Sequence, residues 1–160
     1  MVTRAGESER PRQPYVAVVG PGEATRAQLE AAEGVGRGLA QHGAIVVCGG
    51  LGGVMAAASR GAASAGGTII GILPGTKREA ANEWVTVAIA TGLGELRNGL
   101  IIRAVDTVIA VGGAYGTLSE IALALRTGVP VIGLYTWSID GIDPVQSAEE
   151  AVQRALRAGS

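Results

Sequence analysis

Short apolar runs alternate with stretches of helical periodicity along almost the whole chain, and that alternation restricts the folds open to it. Tyr15 to Gly20, Ala44 to Cys48, Thr68 to Leu73, Trp84 to Ala90, Asp106 to Val111 and Val129 to Leu134 read as strands built from Val, Ile and Ala. The first is followed by a capping box, Thr25 with Gln28, and a stripe at Leu29, Ala32, Val35, Gly36 and Leu39 ending at Gly43. An Ala-rich helix is expected from beyond Gly53 to about Ala65, and others over Gly94 to Val105 and Leu118 to Arg126. Thr127, Gly128 and Pro130 close the last of these. Ser147 and Glu150 open a terminal helix reaching Ala158, whereas Pro74 to Asn82 reads as a polar loop.

Strands that are apolar throughout are buried on both faces, and helices between them then cover a parallel sheet on each side. The expected fold class is α/β, a single doubly wound, Rossmann-like parallel sheet with helices on both faces. Residues 15–160 form this nucleotide-binding-type domain, one domain being the natural count for the length. Met1 to Pro14, polar and without an apolar stretch, is expected to be a mobile N-terminal tail and no secretory signal.

In such a sheet, ligands lie at the carboxyl ends of the strands. The loops Gly20-Pro21-Gly22, Gly49-Gly50-Leu51-Gly52-Gly53 and Gly112-Gly113-Ala114-Tyr115-Gly116-Thr117 all fall on that edge. The last follows a strand and opens a helix, whose unpaired N–H groups and dipole favour an anion. Glycine lets the backbone approach it without an intervening Cβ. The expected partner is a phosphorylated small molecule, bound by Gly20, Gly22, Gly49, Gly50, Gly113, Ala114, Tyr115, Gly116 and Thr117. NAD is not expected: Thr25 occupies the third glycine position, and Val47-Cys48-Gly49-Gly50 offers no carboxylate for ribose hydroxyls. No Gly-Lys-Ser/Thr loop for ATP occurs either.

The rest of the composition is mostly exclusionary. A formal net charge of -1 gives no electrostatic footprint for nucleic acid. A lone Cys48 and a lone His42 leave neither a disulfide nor a metal cluster, and no cofactor is expected. Cys48 reads as a small buried hydrophobe, and His42 as a complement to a helix dipole. No apolar run is long enough to span a membrane, so a cytoplasmic protein is expected. Ala56 to Ala65 and Ile121 to Leu125 carry little charge, which points to a homodimer or larger homo-oligomer.

Two charged residues stand out. Placed on a helical wheel, Arg97 falls among Leu100, Ile101 and Ala104, with Glu95, Gly99 and Arg103 opposite. A guanidinium there needs a carboxylate or a bound anion, because an unpaired buried charge is costly. It is either a structural ion pair, with its stem snorkelling to the rim, or a ligand-facing group. Asn98 beside it can bond a hydroxyl. Glu120 likewise has two readings: reciprocal cap to Thr117 in Thr117-Leu118-Ser119-Glu120, or ligand-facing carboxylate with Arg97 as its partner. In the second, a carboxylate within reach of a phosphate-anchored ribose either holds its hydroxyls or stabilises an oxocarbenium-like centre.

Gly112 to Glu120 resembles the PGGxGTxxE motif of the LONELY GUY family, formerly labelled lysine decarboxylase-like. Cys48-Gly49-Gly50 through Val54-Met55 is similar to that family's second glycine segment, and the likeness runs in order from Tyr15 to Leu134. The superfamily includes phosphoribohydrolases, molybdenum-cofactor carrier proteins and distant DNA-processing relatives. The hydrolases split a nucleoside 5'-monophosphate into base and ribose 5-phosphate. The resemblance implies phosphate binding at Gly113, Gly116 and Thr117, with Arg97 and Glu120 catalytic and Met55 beside the ligand. It also implies that a partner subunit completes the site. Gly112 and Ala114 replace a proline and a glycine of the motif, and Arg97-Asn98 stands where active hydrolases carry Arg-Lys. That looks closer to the carrier-like branch, so the alternative to a hydrolase is a non-catalytic carrier or sensor of a phosphorylated pterin or nucleotide. No pyridoxal-binding arrangement supports the decarboxylase label.

Overall fold

The computed structural model describes residues 12–160. The expected tail lies outside the described residues as far as residue 11. Arg12, Gln13 and Pro14 are tied to the body: Arg12 pairs with Asp106, Gln13 donates to the Gly43 carbonyl at 2.8 Å, and the Pro14 carbonyl accepts from Ile45 N–H.

Seven strands form one all-parallel sheet: β1 (Tyr15–Val19), β2 (Ile45–Cys48), β3 (Ile69–Leu73), β4 (Val87–Ala90), β5 (Thr107–Val111), β6 (Val131–Leu134) and β7 (Ile142–Pro144). Their order is β4-β3-β2-β1-β5-β6-β7, so the sheet reverses direction of growth between β1 and β5. That switch point is where an open α/β sheet leaves a crevice. Helices α1 (Arg26–Gln41), α2 (Val54–Ser64) and α5 (Ala148–Ala158) cover one face; α3 (Arg97–Arg103) and α4 (Tyr115–Thr127) cover the other. Along β1 the alternation is visible residue by residue: Val16 and Val18 join the first core, Ala17 and Val19 the second.

Local chemistry accounts for most of these elements. Thr25 and Gln28 form the reciprocal capping box at the start of α1, and His42 Nδ1 lies 2.8 Å from the Gly38 carbonyl at its end. Close approach of α1 and α2 is made by glycine: a Cβ on Gly36 would lie 1.9 Å from the Ala58 carbonyl oxygen, and one on Gly61 2.0 Å from that of Glu33. Ala57, Ala58 and Ala62 are therefore buried between the two helices.

Three expectations need correction. The strand expected from Trp84 starts only at Val87, because Asn82 draws the preceding residues into a turn by accepting from Trp84 N–H. The short strand β7 was not expected, since Asp and Pro are poor strand formers. It is an edge strand, where Pro144 costs no ladder bond. Arg154 of α5 also reaches Asp143 at 2.5 Å. The buried stripe of α3 runs through Arg97, Ile101 and Ile102 toward Val105, leaving Leu100 and Ala104 exposed.

Candidate functional site

A cleft of about 250 Å³ opens at the carboxyl edge between β1 and β5. It is lined by Gly20, Pro21 and Gly22 after β1, by Ala114, Gly116 and Thr117 at the start of α4, and by Met55, Arg97, Asn98 and Glu120. Pro21 is the one lining residue that the sequence reading did not single out.

The start of α4 dominates the electrostatics. The helix begins at Tyr115, three residues earlier than its periodicity suggests, with extended Ala114 as N-cap and no side-chain hydrogen bond to the cap. Leu118 N–H already bonds the Ala114 carbonyl, so the N–H groups of Tyr115, Gly116 and Thr117 are the ones without a helical partner. The earlier start puts Thr117 and Glu120 inside the helix, and Glu120 cannot close a capping box with Thr117. Of the two readings for Glu120, the capping one is removed. A 13-residue helix thus presents its positive end to the cleft with no side chain neutralising it.

Arg97 enters from α3 and is 9% exposed. Its Nη1 donates to Asn98 Oδ1, its Nη2 lies 3.4 Å from the Gly49 carbonyl oxygen, and its Nε is buried with no partner among the described residues. Glu120 is 7% exposed, and no hydrogen bond or ion pair reaches its carboxylate among the described residues. The two charges thus share one cleft without closing on each other. Burial pushes the Glu120 carboxyl up to about 7, and the neighbouring Arg97 charge offsets part of that rise. Burial also lowers the affinity of Arg97 for its proton, which Glu120 and Cys48 partly restore. An anion on Arg97, with a hydroxyl donating to Glu120, would satisfy both groups.

Glycine makes room for this arrangement. A Cβ on Gly49 would lie 2.6 Å from Arg97 Nη2 and 2.7 Å from Met55 Sδ, so the guanidinium occupies the space a side chain would take. Gly20 is pinched between the Val111 carbonyl oxygen and Val54, whereas a Cβ on Gly22 or Gly116 would meet nothing within 4 Å. A Cβ on Gly50 would meet Leu73 and one on Gly113 the ring of Trp137, and neither residue is part of the cleft lining. Tyr115 is 89% exposed beside it. Asn98, besides accepting from Arg97, donates to Ser119 Oγ at 3.3 Å and so ties α3 to α4. Cys48 is fully buried against Ser59, and burial raises its thiol, which makes it a poor nucleophile. No group of three or more potential metal ligands occurs among the described residues, and none of their helices is long and apolar enough to cross a membrane.

Known proteins share this architecture. The family model described as SLOG cluster4 matches residues 13–158. An uncharacterized protein of Archaeoglobus fulgidus is 41% identical over 142 residues, spanning 88% of this chain and 93% of its own. The molybdenum cofactor binding protein of the phototrophic bacterium Rippkaea orientalis superposes with a TM-score of 0.88 at 36% identity, covering 93% of this chain and 99% of that one. The molybdenum cofactor carrier protein of Chlamydomonas reinhardtii does so with a TM-score of 0.84 at 34% identity, over 91% of this chain and 98% of that one.

Proposed function

We propose, for a chain that belongs to the SLOG cluster4 family, a binding role: it holds a phosphorylated pterin of the molybdenum-cofactor type and releases it unchanged. The observation that carries this reading is the buried Arg97 Nε, unpartnered in a cleft that also receives the uncapped start of α4. The phosphate would take the N–H groups of Gly116 and Thr117 together with the Arg97 guanidinium. A hydroxyl of the ligand would donate to Glu120. The cofactor-binding proteins of R. orientalis and C. reinhardtii, matched over nearly their full lengths, support that choice of ligand.

Asn98 favours binding over turnover. Active hydrolases of the resembling family carry a lysine there. Here the side chain accepts from Arg97 and donates to Ser119, which adds no second cation to the cleft. The alternative, phosphoribohydrolysis of a nucleoside 5'-monophosphate, rests on the carboxylate of Glu120 lying beside Arg97, where it could stabilise an oxocarbenium-like centre. Long incubation with a phosphorylated pterin, and separately with a panel of nucleoside 5'-monophosphates, distinguishes them. Carrier function gives back intact pterin phosphate and no free base; release of base from any nucleotide would establish the hydrolase.

A second copy of the chain is proposed to cover the α3 side of the sheet. Val87 and Ile89 of edge strand β4 are 45% and 46% exposed, and they pair with Ile70 and Ile72, which point toward the α3–α4 core. Leu93, Leu96 and Leu100, before and within α3, are exposed as well. On the helices that composition pointed to, Ala57, Ala58, Ala62, Ile121 and Ala124 are buried within the subunit, while Ala56, Ala63, Ala122, Leu123 and Leu125 keep part of their surface exposed.

A further inference from the structure

Beyond β6 the chain forms a second cleft of about 250 Å³ at the same carboxyl edge, lined among others by Gly133, Tyr135, Thr136, Trp137, Ile142 and Gln146. Three observations mark it. Thr136 Oγ1 is buried there with no hydrogen-bond partner among the described residues, although a buried hydroxyl left unpaired costs about 1–3 kcal/mol. Tyr135 is held at φ 57°, the only positive-φ residue among those described that is not glycine. Such strain, where it persists, clusters at ligand sites. Trp137 lies against Gly113, whose Cβ would sit 2.7 Å from the indole ring. It thereby joins this cleft to the turn whose next residue, Ala114, lines the first.

The chain spends its aromatic residues unusually here. It has two Trp, three Tyr and no Phe, yet Tyr135 and Trp137 sit 59% and 37% exposed at this one edge instead of filling the core. Partly exposed aromatics offer a planar ring a stacking face. Size decides what fits. Pockets enclosing a complete drug-sized ligand hold about 300–1,000 Å³, so each cleft accommodates part of a nucleotide-sized molecule.

From this juxtaposition we infer that the cleft beyond β6 is a separate subsite for a planar nitrogen heterocycle, stacked on Trp137 and hydrogen-bonded on its edge by Thr136. The inference extends the proposed anion site by naming where a ring can be recognised, but ring binding requires no phosphate. The heterocycle is a pterin or a purine, which share fused rings and a donor–acceptor edge.

Trp84→Phe leaves Trp137 as the sole tryptophan and makes its emission the readout. The variant is titrated with an unphosphorylated pterin, with guanosine and with inorganic phosphate. Saturable quenching by pterin or guanosine is expected, and whichever ring quenches identifies the class. Thr136→Val, similar in shape and lacking only the unpartnered hydroxyl, should weaken that ring's binding about tenfold. Gly116→Asp should abolish phosphate binding measured by calorimetry without altering the ring titration. Absence of quenching by both ring compounds overturns the inference, as does a Thr136→Val variant that binds as tightly as its parent. A failed phosphate titration with intact ring binding would count against the anion site alone.

Discussion

A carboxyl group with a pKa near 7 ties Glu120 to both stability and ligand affinity. Its folded-state value is raised above the ordinary 4.5, so between those values the folded chain binds more protons than the unfolded one. The associated stability is present below the unfolded value and is lost as pH rises toward 7, on the order of 3 kcal/mol in total. Thermal unfolding from pH 4.5 to pH 8 should show this loss in the parent, and Glu120→Gln should remove most of it. Ligand affinity follows the same sign, because an anion beside Glu120 favours the protonated form. Binding of sulfate, whose charge is constant over this range, should weaken as pH rises through 7, and a pH-independent affinity would contradict the placement. Gly49→Ala should cost little stability, since its Cβ meets the movable ends of Arg97 and Met55. By displacing the guanidinium it should nonetheless cut phosphate affinity about tenfold or more. Arg97 was legible in the sequence because a cation among aliphatic residues has few structural excuses. The role of Asn98 as a tie to Ser119 was not, since that contact spans two elements.

The start of α4 is the element on which binding depends, and periodicity alone misplaced it. Leu118 is the first apolar residue of the stripe, and Tyr115-Gly116-Thr117 give no propensity signal for a helix; tertiary placement after β5 draws them in. That shift of one turn removed the capping role of Glu120. Gly116→Asp tests the element in isolation. Its Cβ meets nothing within 4 Å, and an acidic residue in the first turn stabilises a helix by about 0.3–1 kcal/mol. The variant should match or exceed the parent in Tm while losing phosphate binding. The α1–α2 contact gives the opposite outcome: Gly61→Val drives a side chain into the Glu33 carbonyl and should destabilise the protein by about 1–3 kcal/mol or more. Denaturant unfolding measures it.

Across the molecule, the alternation of strands and helices and a carboxyl edge rich in glycine loops were legible because apolar β-branched runs and glycine loops recur along the chain; the order of the strands within the sheet was not read from it. The uneven cover of the sheet was not, because exposure of β4 depends on which face its alternate residues take and on where α3 sits. Among the described residues three α-helices lie on one face and two on the other, and Val87, Ile89, Leu93, Leu96 and Leu100 are left exposed. Leu96, 78% exposed, immediately precedes the helix that carries Arg97, and the proposed second copy is expected to approach the cleft from there. Leu96→Glu should convert an oligomer to a monomer in sedimentation and weaken ligand binding in parallel. All of this serves one arrangement, a helix end and a buried guanidinium meeting at the switch point of the sheet. The most direct test is a calorimetric titration of the parent and of Arg97→Met with one pterin in its phosphorylated and dephosphorylated forms. The phosphate should improve affinity for the parent about a hundredfold or more and confer little advantage in Arg97→Met. Equal affinity of the parent for both forms would contradict the account.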